Sequence, residues 1–227
     1  MSTFTPIVSV ICPTTPDRAH LLPRMQYMFT AQDYQLKQLI IDDGEGSIGT
    51  KLNRLIDKSL GDVIVRCDSD DMYRPDWISK SVKHLMDSEA DVTGLDNFYM
   101  ANIENDWECY EYAYKVKVQP YVSGATMCFW KNVWRKTPFD DMSIGEDNKF
   151  LFGRNDAIKI VPHGYKDGFL ATIHKNNTCP RPVHNAMNYR RLGIEEECII
   201  RNRWDRFAAI KEYKEVVIDR DCGCPQV

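Results

Sequence analysis

The chain has 227 residues, 43% hydrophobic and 27% charged, with a formal net charge of −4. That length and apolar content can bury a sizeable core, and the acidic balance argues against a general nucleic-acid coat while leaving room for a local basic groove. The longest apolar runs, Pro6 to Cys12 and Asp62 to Cys67, fall far short of the roughly 18 residues that span a bilayer, and no basic segment leads into an apolar one at the N-terminus, so a cytoplasmic protein is expected.

In chain order, the first half alternates. Ile7 to Cys12 reads as a β-branched buried strand that Pro13 ends. A helix is predicted from about Leu21 to Ala31, with Pro23 in its first turn and Leu22, Met25, Met28 and Phe29 at helical spacing. Gln38 to Ile41 is a second buried strand, running into Asp42-Asp43-Gly44. Ile48, Leu52, Leu55, Ile56 and Leu60 share one helical face, which Gly61 closes. Val63 to Cys67 is a third strand, stopping at Asp68-Ser69-Asp70-Asp71. Pro75 and Asp76 then open a helix carried by Trp77, Ile78, Val82, Leu85 and Met86. Three such βα units imply a doubly wound, mostly parallel sheet, in which ligands bind at the carboxyl ends of the strands.

After Gly94 the pattern changes. Asn97 to Met100, Trp107 to Tyr114 and Gly124 to Phe129 read as shorter strands, and Glu146 to Gly153 as a short helix with Phe150 and Leu151 inward. The segment from Gly193 to Tyr213 reads as a helix with a basic side. No linker or repeat divides the chain, so one domain over 1–227 is expected, with an α/β part at 1–95, a mixed part at 96–178 and a C-terminal extension at 179–227. The eight cysteines are expected as free thiols, with Cys12, Cys67 and Cys128 as core residues. A zinc site built from Cys222, Cys224, Cys179, Cys198 and His184 has no standard spacing, and unrelated thiols are the simpler reading.

Asp outnumbers Glu by 22 to 11. Asp is a poor helix former but a short, well-aimed ligand, so the excess directs attention to strand-end turns. Carboxylates converging after the third strand repel unless a cation joins them, and an oxygen set of this kind suits Mg²⁺ or Mn²⁺. The plainer alternative is that the acidic residues serve the next helix, a local role expected of Asp76 or Tyr73.

These segments together resemble the family 2-like glycosyltransferases with the GT-A fold, from Val8 to about Leu151. Val8-Ser9-Val10-Ile11-Cys12-Pro13-Thr14 is similar to the family's first strand and nucleotide-binding turn. Ile40-Ile41-Asp42-Asp43-Gly44 resembles its second strand and base-recognising Asp pair, although Glu45 stands where a Ser usually follows. Lys51-Leu52-Asn53 and Gly61-Asp62-Val63-Ile64 resemble the approach to the third strand. Asp68-Ser69-Asp70-Asp71 resembles its metal motif. Gly124 to Phe129, Val133-Trp134 and Ile144-Gly145-Glu146-Asp147 resemble the acceptor-side segment ending in the catalytic carboxylate.

The resemblance implies a nucleoside diphosphate-sugar donor, with a UDP-linked sugar as first expectation. Pro13, Thr14, Arg18, Asp43, Ser69 and Asp68 would lie at the nucleotide-sugar, with Lys51 reaching a phosphate or else lying on a solvated helix face. Asp70 and Asp68, with His174 as a third ligand or a structural residue, would hold Mn²⁺ or Mg²⁺. Asp147 would be the general base of an inverting displacement, and Glu146 would orient the acceptor or raise the pKa of Asp147; a plain acidic first helical turn accounts for the same pair.

The acceptor stays open between a glycan, a protein and a modified DNA base. His184, Tyr189, Arg190, Arg191, Arg201, Arg203, Trp204 and Arg206 would make a face for an anionic acceptor, but a solvated helix balanced by Glu195, Glu196 and Glu197 is the simpler expectation. Competing classes are a haloacid dehalogenase-like phosphohydrolase, whose motif normally continues with Thr or Val where Met72 stands, and a sugar-nucleotide pyrophosphorylase, whose Gly-rich loop is replaced by Pro13-Thr14-Thr15-Pro16. A non-catalytic nucleotide-sugar or glycan-binding module is the non-enzymatic alternative.

Overall fold

A computed structural model describes residues 5–104, 106–114, 119–178 and 188–212. Its first strand, β1 (Val8–Pro13), is buried along its whole length and pairs in parallel with β2 (Lys37–Asp42) on one side and β3 (Val63–Arg66) on the other. Continuous burial follows from helices on both faces. Val8, Val10 and Cys12 share a core with Met25 and Met28 of α1 (Leu22–Thr30) and with Trp77, Ile78 and Leu85 of α3 (Trp77–Asp87). Ile11 turns to the other core, with Leu52, Leu55 and Ile56 of α2 (Ile48–Asp57).

The sheet continues beyond β3 through β8 (Cys128–Trp130), β5 (Val92–Gly94) and β9 (Ile160–Pro162), in the order β2-β1-β3-β8-β5-β9. β8 pairs antiparallel with both neighbours while β5 and β9 run parallel, so β8 alone opposes the other five. The expected mostly parallel, doubly wound sheet is present. A second, mixed sheet has the order β11-β7-β6-β10-β4, from Tyr189–Arg191, Glu108–Ala113, Asn97–Asn102, Phe169–Thr172 and Met72–Tyr73. β4 follows β3 almost at once, so the chain crosses from one sheet to the other through Asp68 to Asp71. The acidic turn is therefore the hinge between the sheets and is fixed from both.

Several expectations need correction. The second helix ends at Asp57, and Leu60 is 77% exposed where an inward position was expected. Gly61 is the reason: a Cβ there would lie 2.6 Å from Ile7 O and Ser9 N, so the chain must leave the helix to pass this close to β1. Gly124 to Phe129 is not one strand but a 3₁₀ turn at Gly124–Thr126 followed by β8. Asp76 stands at the N-cap position of α3, as expected, but its side chain makes no capping bond to the helix amides, and Tyr73 has no part in the cap. Tyr73 lies in β4, and Asp76 binds Lys80 and the Tyr165 hydroxyl instead. The strands β4, β5, β9 and β11 and helix α4 (Lys131–Lys136) are too short to register as periodicity.

Helix α5 (Glu146–Phe152) forms as expected, with Phe150 and Leu151 buried. Helix α6 (Ile194–Ala208) buries Ile200, Trp204 and Phe207, the last 6.2 Å from the Tyr27 ring of α1. Its basic neighbours are largely spent within the protein: Arg190 pairs with Glu111 and Glu196, Arg191 with Glu108 and Glu197, and Arg203 with Asp167. Glu196 and Glu197 thus balance arginines of β11 rather than those of the helix itself, whose Arg203 turns to Asp167. Cys12, Cys67 and Cys128 are buried, Cys198 is exposed, and Cys179, His184, Cys222 and Cys224 lie outside the described residues. No helix among the described residues is long and apolar enough to cross a membrane.

Candidate active site

The acidic turn is held residue by residue. Ser69 is fully buried and its hydroxyl lies 2.8 Å from that of Thr14, which joins the ends of β1 and β3. The Asp71 carboxylate accepts from the Thr172 amide at 2.9 Å, and Thr172 Oγ1 donates to Asp70 O, so β10 supports the turn from the second sheet. Arg24 Nη2 donates to the same carbonyl at 2.6 Å. The Asp70 carboxylate is nearly buried as well, its side chain 9% exposed. Its Oδ2 lies 3.0 Å from His174 Nε2 and 3.0 Å from Arg18 Nη1. Burial alone would raise the Asp70 pKa, but the hydrogen bond with His174 and the charge of Arg18 outweigh it and hold the group below its usual value. Arg18, His174, Arg24, Lys175 and Asn176 line a cleft that opens beside Asp70.

On the other side of the turn stands Arg66. Its guanidinium holds Asp68 by a two-pronged bond, Nε to Oδ1 at 2.7 Å and Nη2 to Oδ2 at 3.1 Å, and its Nη1 donates to Glu146 Oε1 at 2.9 Å. Glu146 is therefore a buried partner of Arg66, not a group facing an acceptor. Burial raises its pKa, opposed by Arg66 and reinforced by the neighbouring Asp147 charge. Asp147 itself accepts from the Tyr121 hydroxyl at 2.8 Å through Oδ2 and from the Asn148 amide through Oδ1. Burial, with Tyr114 and Asp147 beside it, pushes the Tyr121 phenol far above its ordinary range, so it remains a donor. Gly124 lies between these groups: a Cβ there would stand 2.9 Å from Arg66 Nη1 and 3.0 Å from Asp147 Oδ2.

The remaining sequence candidates divide. Asp43 is exposed after the end of β2, while Asp42 is held by Arg54 at 2.7 and 3.0 Å. Pro13 and Thr14 are buried and shape the end of β1 from inside. Lys51 is corrected on both of its readings: it is 5% exposed, neither solvated nor turned to the cleft, and its Nζ donates to Thr14 O at 2.6 Å. Arg66, Tyr121 and Arg24 escaped the sequence reading. Arg66 carried one signal, a charged residue inside the otherwise apolar Val63 to Cys67 run, but its partner Glu146 is 80 residues away.

The donor set fits a divalent cation. Asp68, Asp70 and Asp71 each offer an oxygen, all within 4.8 Å of one another, and hard oxygens of this kind suit Mg²⁺ or Mn²⁺. All three are already engaged within the protein, Asp68 by Arg66, Asp71 by the Thr172 amide and Asp70 by His174 and Arg18, so a cation at the triad would take the place of at least one of these contacts.

A mostly parallel sheet that passes through an acidic turn into a second sheet, with a carboxylate-bearing helix beside it, defines the GT-A class of glycosyltransferases. The glycosyl transferase family 2 model matches residues 22–133. Over these residues the chain is similar to the family 2 glycosyltransferases, and its fold is the GT-A fold. That assignment decides against the phosphohydrolase and pyrophosphorylase that the acidic turn alone left open.

Among solved structures, residues 1–349 of TarS from S. aureus are 12% identical, with a TM-score of 0.52 over 73% of this chain and 60% of that one. The mannosyltransferase PcManGT from Pyrobaculum calidifontis, solved with GDP-Man and Mn²⁺, is 14% identical, with a TM-score of 0.54 over 78% of this chain and 59% of that one. TarS 1–349 in complex with UDP gives a TM-score of 0.50 at 13% identity, over 73% of this chain and 60% of that one. The chain thus spans about three-fifths of the length of these proteins. No curated protein matches the sequence.

Proposed function

We propose that the protein transfers a hexosyl group from a nucleoside diphosphate-sugar, UDP-linked as the first candidate, to an acceptor hydroxyl with inversion. The observation that carries this reading is the placement of Asp147: a carboxylate on the first turn of α5, oriented by Tyr121 and packed against Gly124 beside the acidic turn.

The nucleotide would lie across the ends of β1, β2 and β3, with Asp43 accepting from the base and Asp68 meeting the ribose. Arg18 and Asp70 would stand at the diphosphate, and Asp70 with His174 would hold Mn²⁺ or Mg²⁺. When bound, that cation supplies Lewis-acid stabilisation of charge on the departing diphosphate. Asp147 takes the proton from the acceptor hydroxyl as its oxygen bonds to the anomeric carbon and the bond to the diphosphate breaks, and a single displacement inverts that carbon. The Tyr121 hydroxyl and the Asn148 amide hold the carboxylate in one orientation for that transfer. The acceptor is a hydroxyl compound outside what these residues specify: a glycan, a protein or a modified base.

Thermal-shift titration with UDP and GDP, each with and without Mn²⁺, tests the reading. Metal-dependent stabilisation by a nucleoside diphosphate is expected, and its absence for every nucleotide would sink the transferase assignment. Mass spectrometry of products from a panel of donors and acceptors then identifies the sugar.

A further inference from the structure

Helix α5 is only seven residues long, too short to be stable by itself, so its position depends on what it packs against. Its C-terminal half is anchored by apolar contacts, with the rings of Phe150 and Phe139 stacked 4.2 Å apart. Its N-terminal half, which carries Asp147, has a different anchor. Glu146 is tied to Arg66, and the two side chains are 7% and 6% exposed. The same guanidinium grips Asp68, which is the more exposed end of the triad at 21%. One cation thus joins two carboxylates of opposite sites, and their surplus negative charge means that anything engaging Asp68 changes how strongly Arg66 holds Glu146. A buried carboxylate left without its cation is strongly destabilised, so the coupling is not a soft one. Gly124 keeps the passage between Arg66 and Asp147 clear of side chain.

We infer that Arg66 is a positioning residue through which occupancy of the donor site at Asp68 is transmitted to the base-bearing helix α5. This rests on the reading of Asp68 as a donor-side residue and of Asp147 as the base. Arg66 divides itself between Asp68 and Glu146. A nucleotide engaging Asp68 releases guanidinium charge to Glu146 and tightens the first turn of α5, so the base is set after the donor has bound.

Hydrogen exchange followed by mass spectrometry on the full chain tests this in two arms. In the first, without ligand, Arg66→Met is expected to speed exchange of the α5 amides by about tenfold or more while those of α3 keep their wild-type rates. Unchanged α5 exchange, or equal acceleration of both helices, overturns the proposal, since a merely structural residue would loosen the fold as a whole. In the second, UDP or GDP with Mn²⁺ is expected to slow α5 exchange in the wild type and not in Arg66→Met, with Arg66→Lys intermediate because an ammonium cannot grip both carboxylates at once. Slowing that persists in Arg66→Met overturns the proposal. If Arg66→Met does not fold, Glu146→Gln replaces it, with a smaller acceleration confined to α5 expected and no acceleration overturning. Failure of both nucleotides to bind the wild type removes the proposed function instead, and the first arm then decides the role of Arg66.

Discussion

His174 Nε2 lies 3.0 Å from Asp70 Oδ2, across 104 residues of chain. Two sheets meet there, because Asp70 sits in the turn leaving β3 and His174 just beyond β10. The pair makes a claim about metal binding. Asp70→Asn and His174→Ala are each expected to weaken Mn²⁺-dependent binding of a nucleoside diphosphate by about 10–100-fold in calorimetry. An unaltered affinity in His174→Ala would remove His174 from the ligand set.

Asp147→Asn keeps the shape of the side chain and removes its basicity. Transfer is expected to fall by about 10²–10⁴-fold with nucleotide affinity unchanged. Tyr121→Phe deletes only the hydrogen bond that orients the carboxylate and should cost about tenfold in kcat with little effect on KM for the donor. Steady-state kinetics on the identified substrates would check both. Wild-type turnover in Asp147→Asn would disqualify Asp147 as the base.

Gly49 tests the architecture away from the chemistry. A Cβ at this position of α2 would stand 1.9 Å from Asp140 O, a backbone atom that cannot rotate aside. The Gly49 amide also donates to Met142 O, so helix and loop are locked together. Gly49→Ala is expected to destabilise the protein by about 1–3 kcal/mol, despite the better helix propensity of Ala, as read by urea unfolding.

Acid stability has two separable parts. Burial works against the Glu111 carboxylate, but hydrogen bonds from Lys166, Arg190 and Asn97 outweigh it and hold its pKa at about 2. A depressed carboxylate stabilises the fold above its unfolded pKa, near 4.5, and that contribution disappears as pH falls toward 2. His163 is depressed to about 4 by burial and by His84, so its contribution is complete above about 6.5 and declines through pH 4. Glu111→Gln should therefore flatten the unfolding midpoint below pH 4.5 and leave the decline between pH 6.5 and 4 intact. Identical acid profiles in the two proteins would show that the Glu111 network contributes nothing.

The first half of the fold was legible because each βα unit is long enough to show its period: β1, β2, β3 and helices α1 to α3 all fall where the apolar spacing puts them, apart from their ends. The second half was less so. Strands of two or three residues, such as β4, β5 and β9, form because neighbouring strands offer hydrogen-bonding edges, a cause that lies outside their own sequence. The same distinction separates the site residues. Asp43, Asp70 and Asp147 are announced locally, by a strand or a helix start beside each. The fates of Lys51, buried on the Thr14 carbonyl, and of Glu146, bound to Arg66, are not.

By itself the sequence determined which carboxylates stand at strand and helix ends, since strand period and helix start are local properties of a few residues, and it was enough to show the similarity to the family. Tertiary structure alone decided what each carboxylate has for a partner. Arg18 and His174 converge on Asp70, while Arg66 claims Asp68 and Glu146 together, because charges removed from water must find a counter-charge wherever the packed chain brings one. The aspartate excess was visible in one dimension, and the division between Asp70, paired with Arg18 and His174, and Asp68, held by Arg66, exists only in three.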